Sequence, residues 1–200
     1  MILALLIAAA TPQSAVDAEI AFNHAAQIDG QWTAFRRFAA PGAIMFEPQP
    51  TLVTKALKGR QDPPVSVAWA PASSFVSCDG RTAVNSGPWS RANGSVGYFT
   101  TIWARGTSGW KWRVDSGDRL TTPRPTPVVP DVQKAECAGR ATPVAAVRYR
   151  DGQTGEGMSR DRTLSWRWHV APDGARTLSA WLWDGKVMQP VVADVIAARP

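Results

Sequence analysis

Three side chains in this sequence have the chemistry to move a proton beside an apolar surface. Glu47 stands just before Pro48, after the short apolar run Ala43-Ile44-Met45-Phe46. A carboxyl there becomes a general base at neutral pH if burial raises its pKa. His24 lies on a segment of helical character and either points inward to share a proton with Asp29 or Glu47 or stays at the surface or satisfied in the core. Asp115 ends a strand beside Trp112 and is expected to cap a turn or accept backbone N–H bonds, with proton transfer opposite His24 as the alternative. Other catalytic signatures are missing: there is no serine nucleophile elbow, phosphate-binding glycine loop or dinucleotide fingerprint. His24 and His169 fall in different halves, so neither a metal site nor a cofactor is expected.

Aromatic residues offer a second chemistry. Ten tryptophans are many for 200 residues, and each carries a broad apolar ring with one N–H. Trp69, Trp89, Trp103 and Trp112, with Phe22, Tyr98, Thr100 and Ile102, are candidate walls of a ligand cavity. Trp166, Trp168, Trp181 and Trp183 could form an exposed stacking platform for sugar rings, or pack into a core.

The elements that must position these residues follow from periodicity. Hydrophobic content of 44% with 19% charged residues fits a globular chain. The stretch Ile2–Ala10 is too short to cross a bilayer and looks like the apolar part of a secretory signal. It predicts a signal peptide over residues 1–18, cut at Ala8-Ala9-Ala10 or near Ala18, and a periplasmic or secreted protein; a buried first strand is the alternative. The net charge of +6 is scattered with no basic run, so no nucleic-acid partner is expected. Cys78 and Cys137 are the only cysteines; they pair between the two halves or remain two buried thiols.

Helices are expected over residues 15–28, around Trp32, Phe35 and Phe38, and over 51–58. From Val65 the period changes to two. Strands are expected at 74–77, 82–90, 97–105 and 110–115, with turns at Asp79-Gly80 and Asn93-Gly94. Four prolines make 119–134 an extended linker. Beyond it, strands at 143–150, 164–170, 177–183 and 186–192 predict a C-terminal β-meander over 135–200.

The segment Phe38–Pro48, the Ser86-Gly87-Pro88-Trp89 element, Gly97-Tyr98-Phe99, Thr101-Ile102-Trp103 and Gly109-Trp110-Lys111-Trp112 with Asp115 together resemble the SnoaL-like group of the nuclear transport factor 2-like superfamily over residues 19–118. The resemblance implies an α+β cone, with N-terminal helices packed in a curved antiparallel or mixed sheet, a pocket in its mouth, and here a C-terminal all-β extension. It places Glu47 where steroid isomerases of the group carry their base. It puts Phe22, without a hydroxyl, and Thr100 where they carry oxyanion donors, so steroid isomerase chemistry is disfavoured. Many relatives dimerise through the sheet. The reading is an exported protein binding a small hydrophobic or aromatic ligand. Its alternatives are a lyase, isomerase or cyclase with Glu47 as base and His24 or Asp115 assisting, and an envelope glycan-binding module using the C-terminal tryptophans.

Overall fold

The computed structural model describes residues 12–198; the predicted leader up to residue 11 lies outside the described residues. Helix α1 (Ala15–Asp29) starts at a capping box. Ser14 Oγ accepts from Asp17 N at 3.1 Å, and Asp17 returns the bond to Ser14 N at 3.0 Å. Ala15, Ala18, Glu19, Phe22, Ala25 and Ala26 recur at helical spacing and form its buried face. The helix stops at Gly30, whose φ of 104° suits only glycine. Helix α2 (Gln31–Phe38) is capped from a distance: Asp62 Oδ1 accepts from Trp32 N at 2.5 Å and Thr33 N at 3.0 Å. A Cβ at Gly30 would lie 2.4 Å from the Asp62 carboxyl carbon, so the same glycine makes room for the cap.

Strand β1 (Ala39–Glu47) turns at Pro48 into β2 (Gln49–Leu52), and a single helical turn, α3 (Val53–Ala56), follows. A helix over 51–58 is therefore not formed as expected. Its first residues pair back onto β1, with Thr51 opposite Met45, and Pro48 and Pro50 favour extended chain there. The sheet continues through β3 (Ala68–Trp69), β4 (Ser73–Val76), β5 (Thr82–Ser90), β6 (Val96–Gly106), β7 (Gly109–Leu120) and β8 (Asp131–Lys134). Its order is β2-β1-β7-β6-β5-β4-β8, with β3 pairing on β5. β1 runs parallel to β7 and β8 parallel to β4, while the other pairs are antiparallel, so the module is α+β with a mixed sheet. The end of the proline-rich segment is thus an edge strand.

Alternation gives this sheet two faces. Ala83, Trp103 and Trp112 pack with Phe22, Ala26, Ala34 and Leu57 beneath the helices. Val84, Ile102 and Val114 point the other way, onto a second sheet. That sheet is an antiparallel meander of β9 (Gln153–Met158), β10 (Leu164–Val170), β11 (Arg176–Trp183) and β12 (Met188–Ile196), in the order β12-β11-β10-β9. Leu164, Trp168, Val170, Leu178 and Ala180 form the other half of the shared core. The outer face of the first sheet is therefore buried by the chain's own C-terminal half.

Residues 143–150 form no strand. The outer strand is instead the glycine-bearing β9, because a Cβ at Gly155 or Gly157 would lie 2.4 Å from the rings of Trp168 and Trp166. This packing also corrects the exposed platform. Trp166 and Trp168 face the first sheet. Trp183 is buried and donates to Ala138 O at 2.9 Å. Trp181 lies on the opposite side, partly exposed beneath the Arg167 guanidinium. No row of open rings remains for a sugar. Cys78 and Cys137 form a disulfide that ties the turn after β4 to the segment entering the second sheet.

Candidate functional site

A cavity of about 730 Å³ opens at the end of the first sheet, beside the helices. Its inner wall is built from α1 (Glu19, Phe22), α2 (Phe35), β1 (Met45), β3 (Trp69) and β7 (Asp115). The volume suits a small organic molecule.

Glu19 is wholly buried on the apolar face of α1. Trp69 Nε1 donates to one oxygen at 2.9 Å; Trp103 Nε1 at 2.6 Å and Asn85 Nδ2 at 3.2 Å donate to the other. Burial raises its pKa to about 7 even against these three donors, and the charge of Asp115 adds to the rise. Asp115 stands in mid-strand, opposite Thr101 on β6 and Met45 on β1. It accepts a hydrogen bond from Thr101 Oγ1 at 3.0 Å. Burial pushes it up to about 7 as well, opposed by the Thr101 bond and the Arg176 charge. Protein surrounds the group, yet part of its surface remains open to the cavity. Burial thus raises two carboxyls toward neutrality at one cavity, and Asp115, the one open to it, can hold or release a proton for a bound molecule.

β1 leaves β7 after Met45, so Ser116–Leu120 pairs only with β6. The second sheet covers this open edge. Arg176 Nη2 donates to Gly117 O at 2.6 Å, and its guanidinium lies 5.3 Å from the centroid of the Phe46 ring. Gly174, Arg176 and Ile196 thereby line the outer part of the same cavity.

The structure divides the residues singled out in the sequence. Phe22, Trp69, Trp89, Tyr98, Glu47 and Asp115 line the cavity. Glu47 is exposed at its rim and paired with Arg60, whose guanidinium stacks on Trp32 at 4.1 Å; the buried carboxyls are others. His24 is exposed and does not reach the cavity, because two residues of helix rotate it by about 200° from Phe22. Asp115 does not cap a turn as expected, since β7 runs on to Leu120. Thr100 and Ile102 lie on the outer face against the second sheet. Trp103 and Trp112 are closed core residues behind the wall. Tyr98 has Arg124 stacked 3.8 Å from its ring centroid, and burial together with Asp194 pushes its phenol up to about 12. Glu19 was not anticipated as a site residue. Its signal was a single acid at the spacing of the small apolar face Ala15, Ala18, Phe22 and Ala26.

Among the described residues no helix is long and apolar enough to cross a membrane. No family model matches the sequence, and no curated protein matches it. Among the solved structures similar to part of this chain are three. One, described as a candidate aromatic ring hydroxylase from Novosphingobium aromaticivorans, is 17% identical and covers 55% of this chain and 89% of its own, with a TM-score of 0.39. A nuclear transport factor 2-like protein of unknown function from Shewanella oneidensis is 12% identical, with coverages of 50% and 96% and a TM-score of 0.41. A candidate calcium/calmodulin-dependent kinase II association domain from Exiguobacterium sibiricum is 15% identical, with coverages of 52% and 89% and a TM-score of 0.36. About half of this chain thus resembles nearly the whole of each of these proteins.

Proposed function

We propose that this protein is a cone-shaped ligand-binding protein that takes a small, mainly apolar or aromatic molecule, with Asp115 as its polar anchor. The observation that carries the reading is the 730 Å³ cavity, in which Asp115 is open to a ligand beside Phe22, Phe35 and Trp69. The cone is closed on its outer side by the C-terminal sheet, so a homodimer would use another surface. The test is a titration with 2-naphthol, followed by tryptophan fluorescence. Trp69 and Trp89 line the cavity, so saturable quenching is expected. Asp115→Leu should weaken binding about tenfold by removing one hydrogen bond to a charged or acidic group. Unsaturable quenching, or equal affinity in the variant, would refute the reading.

Turnover is a second reading, favoured by a carboxyl held near pH 7. A base removes a proton only when ionised, so activity should rise with pH through about 7. The probe is the base-promoted ring opening of 5-nitrobenzisoxazole. Its ring C–H proton goes to the carboxylate, the N–O bond breaks, and a cyanophenolate leaves. Asp115→Asn should abolish this reaction and His24→Ala should leave it intact. Loss in both variants or in neither would remove Asp115 from the role of base.

Export is proposed with a cut at Ala8-Ala9-Ala10. The disulfide supports an oxidising compartment. A cut after Ala18 would instead discard the capping box and the buried Ala15 and Ala18. N-terminal sequencing of the mature protein should begin near Thr11, and a chain beginning at Met1 would refute export.

A further inference from the structure

We propose that the cavity selects an organic cation, an ammonium group carried on an aromatic or bulky apolar body. The ammonium would sit against Asp115 and the body against Phe22, Phe35 and Trp69. This inference rests on the ligand-binding reading above and adds that charge is what the site selects.

The aromatic wall has the geometry for it. The Phe22–Phe35, Phe22–Trp69 and Phe35–Trp69 ring pairs have centroids 4.8, 4.8 and 6.1 Å apart and planes inclined by 61°, 71° and 69°. The three rings pack edge to face on one another, and each contributes to the cavity lining. The face of an aromatic ring is its negative pole, so ring surface presented to the cavity favours a cation over an anionic group.

The charges are sorted in the same sense. The inner wall holds two acids, Glu19 and Asp115, and no base among the described residues lining it. The positive groups of the lining are Arg91, Arg119 and Arg176, and of these Arg176 is near enough for its charge to act on Asp115. Arg176 stacks on Phe46 and bonds to Gly117 O, and Arg91 lies over Trp89. Arg119 is exposed.

Binding of a fixed positive charge must be linked to pH. Asp115 is faced by Glu19 from α1, Thr101 from β6 and Arg176 from β11, with Glu47, Asp118 and Arg119 at the cavity's outer part. Near neutral pH the two inner carboxyls are partly protonated. An arriving ammonium stabilises the ionised form, so one proton leaves to solvent as the cation enters.

Calorimetry on the full chain tests this with benzyltrimethylammonium, its uncharged isostere neopentylbenzene, and 4-tert-butylbenzoate. The cation should bind about tenfold more tightly than the isostere at about pH 8, and the anion more weakly than either. In wild-type protein at about pH 6.5, cation binding should release a proton, read from the dependence of heat on buffer ionisation enthalpy, and none should be released at about pH 8.5. Asp115→Asn should remove both the preference and the release, with circular dichroism reporting its fold. Equal or tighter binding of the isostere or the anion would overturn the cation class and keep the cavity reading. Failure of all three probes to bind would overturn the cavity reading as well.

Discussion

Glu19→Ala is expected to destabilise the fold by about 4 kcal/mol, combining a cavity in the core with donors left without an acceptor. Trp69 Nε1 and Trp103 Nε1 would lose the oxygens they donate to, and Asn85 Nδ2 would keep only its 2.8 Å bond to Ala15 O. Glu19→Gln is the informative companion. It keeps the volume and one acceptor but turns an N–H toward a donor, so a loss of about 2 kcal/mol is expected at pH about 5. The two variants should also part in their pH dependence. Folded, Glu19 and Asp115 keep their protons up to about pH 7; unfolded, they release them near the ordinary values of 4.5 and 3.8. The native state therefore binds more protons over that interval, and stability must fall as pH rises from about 4 to about 7. The Glu19 share of that fall is about 3 kcal/mol. Glu19→Gln should remove this share, so its deficit against wild type closes by about pH 8. Urea unfolding at about pH 5 and about pH 8 measures it, and parallel pH profiles for wild type and variant would contradict the assignment.

Replacing Cys78 and Cys137 together by alanine is expected to lose about as much. The disulfide closes a loop with a sequence separation of 59, for which chain entropy gives about 4 kcal/mol. Its place makes the loss local as well as global. Next to it, Cys78 N donates to Thr163 Oγ1 at 2.8 Å, Asp79 N to Asp161 Oδ2 at 2.6 Å and Glu136 N to Trp183 O at 2.9 Å. These bonds fasten the second sheet to the first at the end opposite the Arg176–Gly117 contact. Hydrogen exchange of the reduced or double-variant protein should therefore quicken first in β10 and β11, and α1 should stay protected. Uniform loss of protection would show that the bridge acts on the whole chain alone.

The β6–β7 hairpin is legible in the sequence because two runs rich in aromatic and β-branched residues flank a short glycine-bearing turn. What the sequence could not show is how the sheet closes. The parallel register of β1 on β7, with Met45 opposite Asp115, is a contact across seventy residues with no local signature, and it is what carries Asp115 into a cavity wall. β9 escaped notice because Gln153–Met158 contains no large apolar side chain before Met158; its glycines are there for the rings of Trp166 and Trp168. On α1 the inner face is made mostly of alanines, while Ile20 and Ile28 are 51% and 71% exposed. A reading guided by the bulkier residues counts Ile20 and Ile28 as apolar cover and leaves Glu19 among the polar residues of the other side. Glu47 was conspicuous beside a proline, but a carboxylate exposed at the rim and held by Arg60 lacks the enclosure that sets Glu19 and Asp115 apart. Chemistry visible in sequence as residue type became a site only through burial, which is a property of the packed sheets.

Native mass spectrometry of the protein purified from its own host tests the central claim most directly. The account predicts a retained small molecule on the wild-type chain and a smaller retained fraction on Asp115→Asn. A bare wild-type chain under conditions that keep the fold, or a mass excess undiminished in Asp115→Asn, would contradict it.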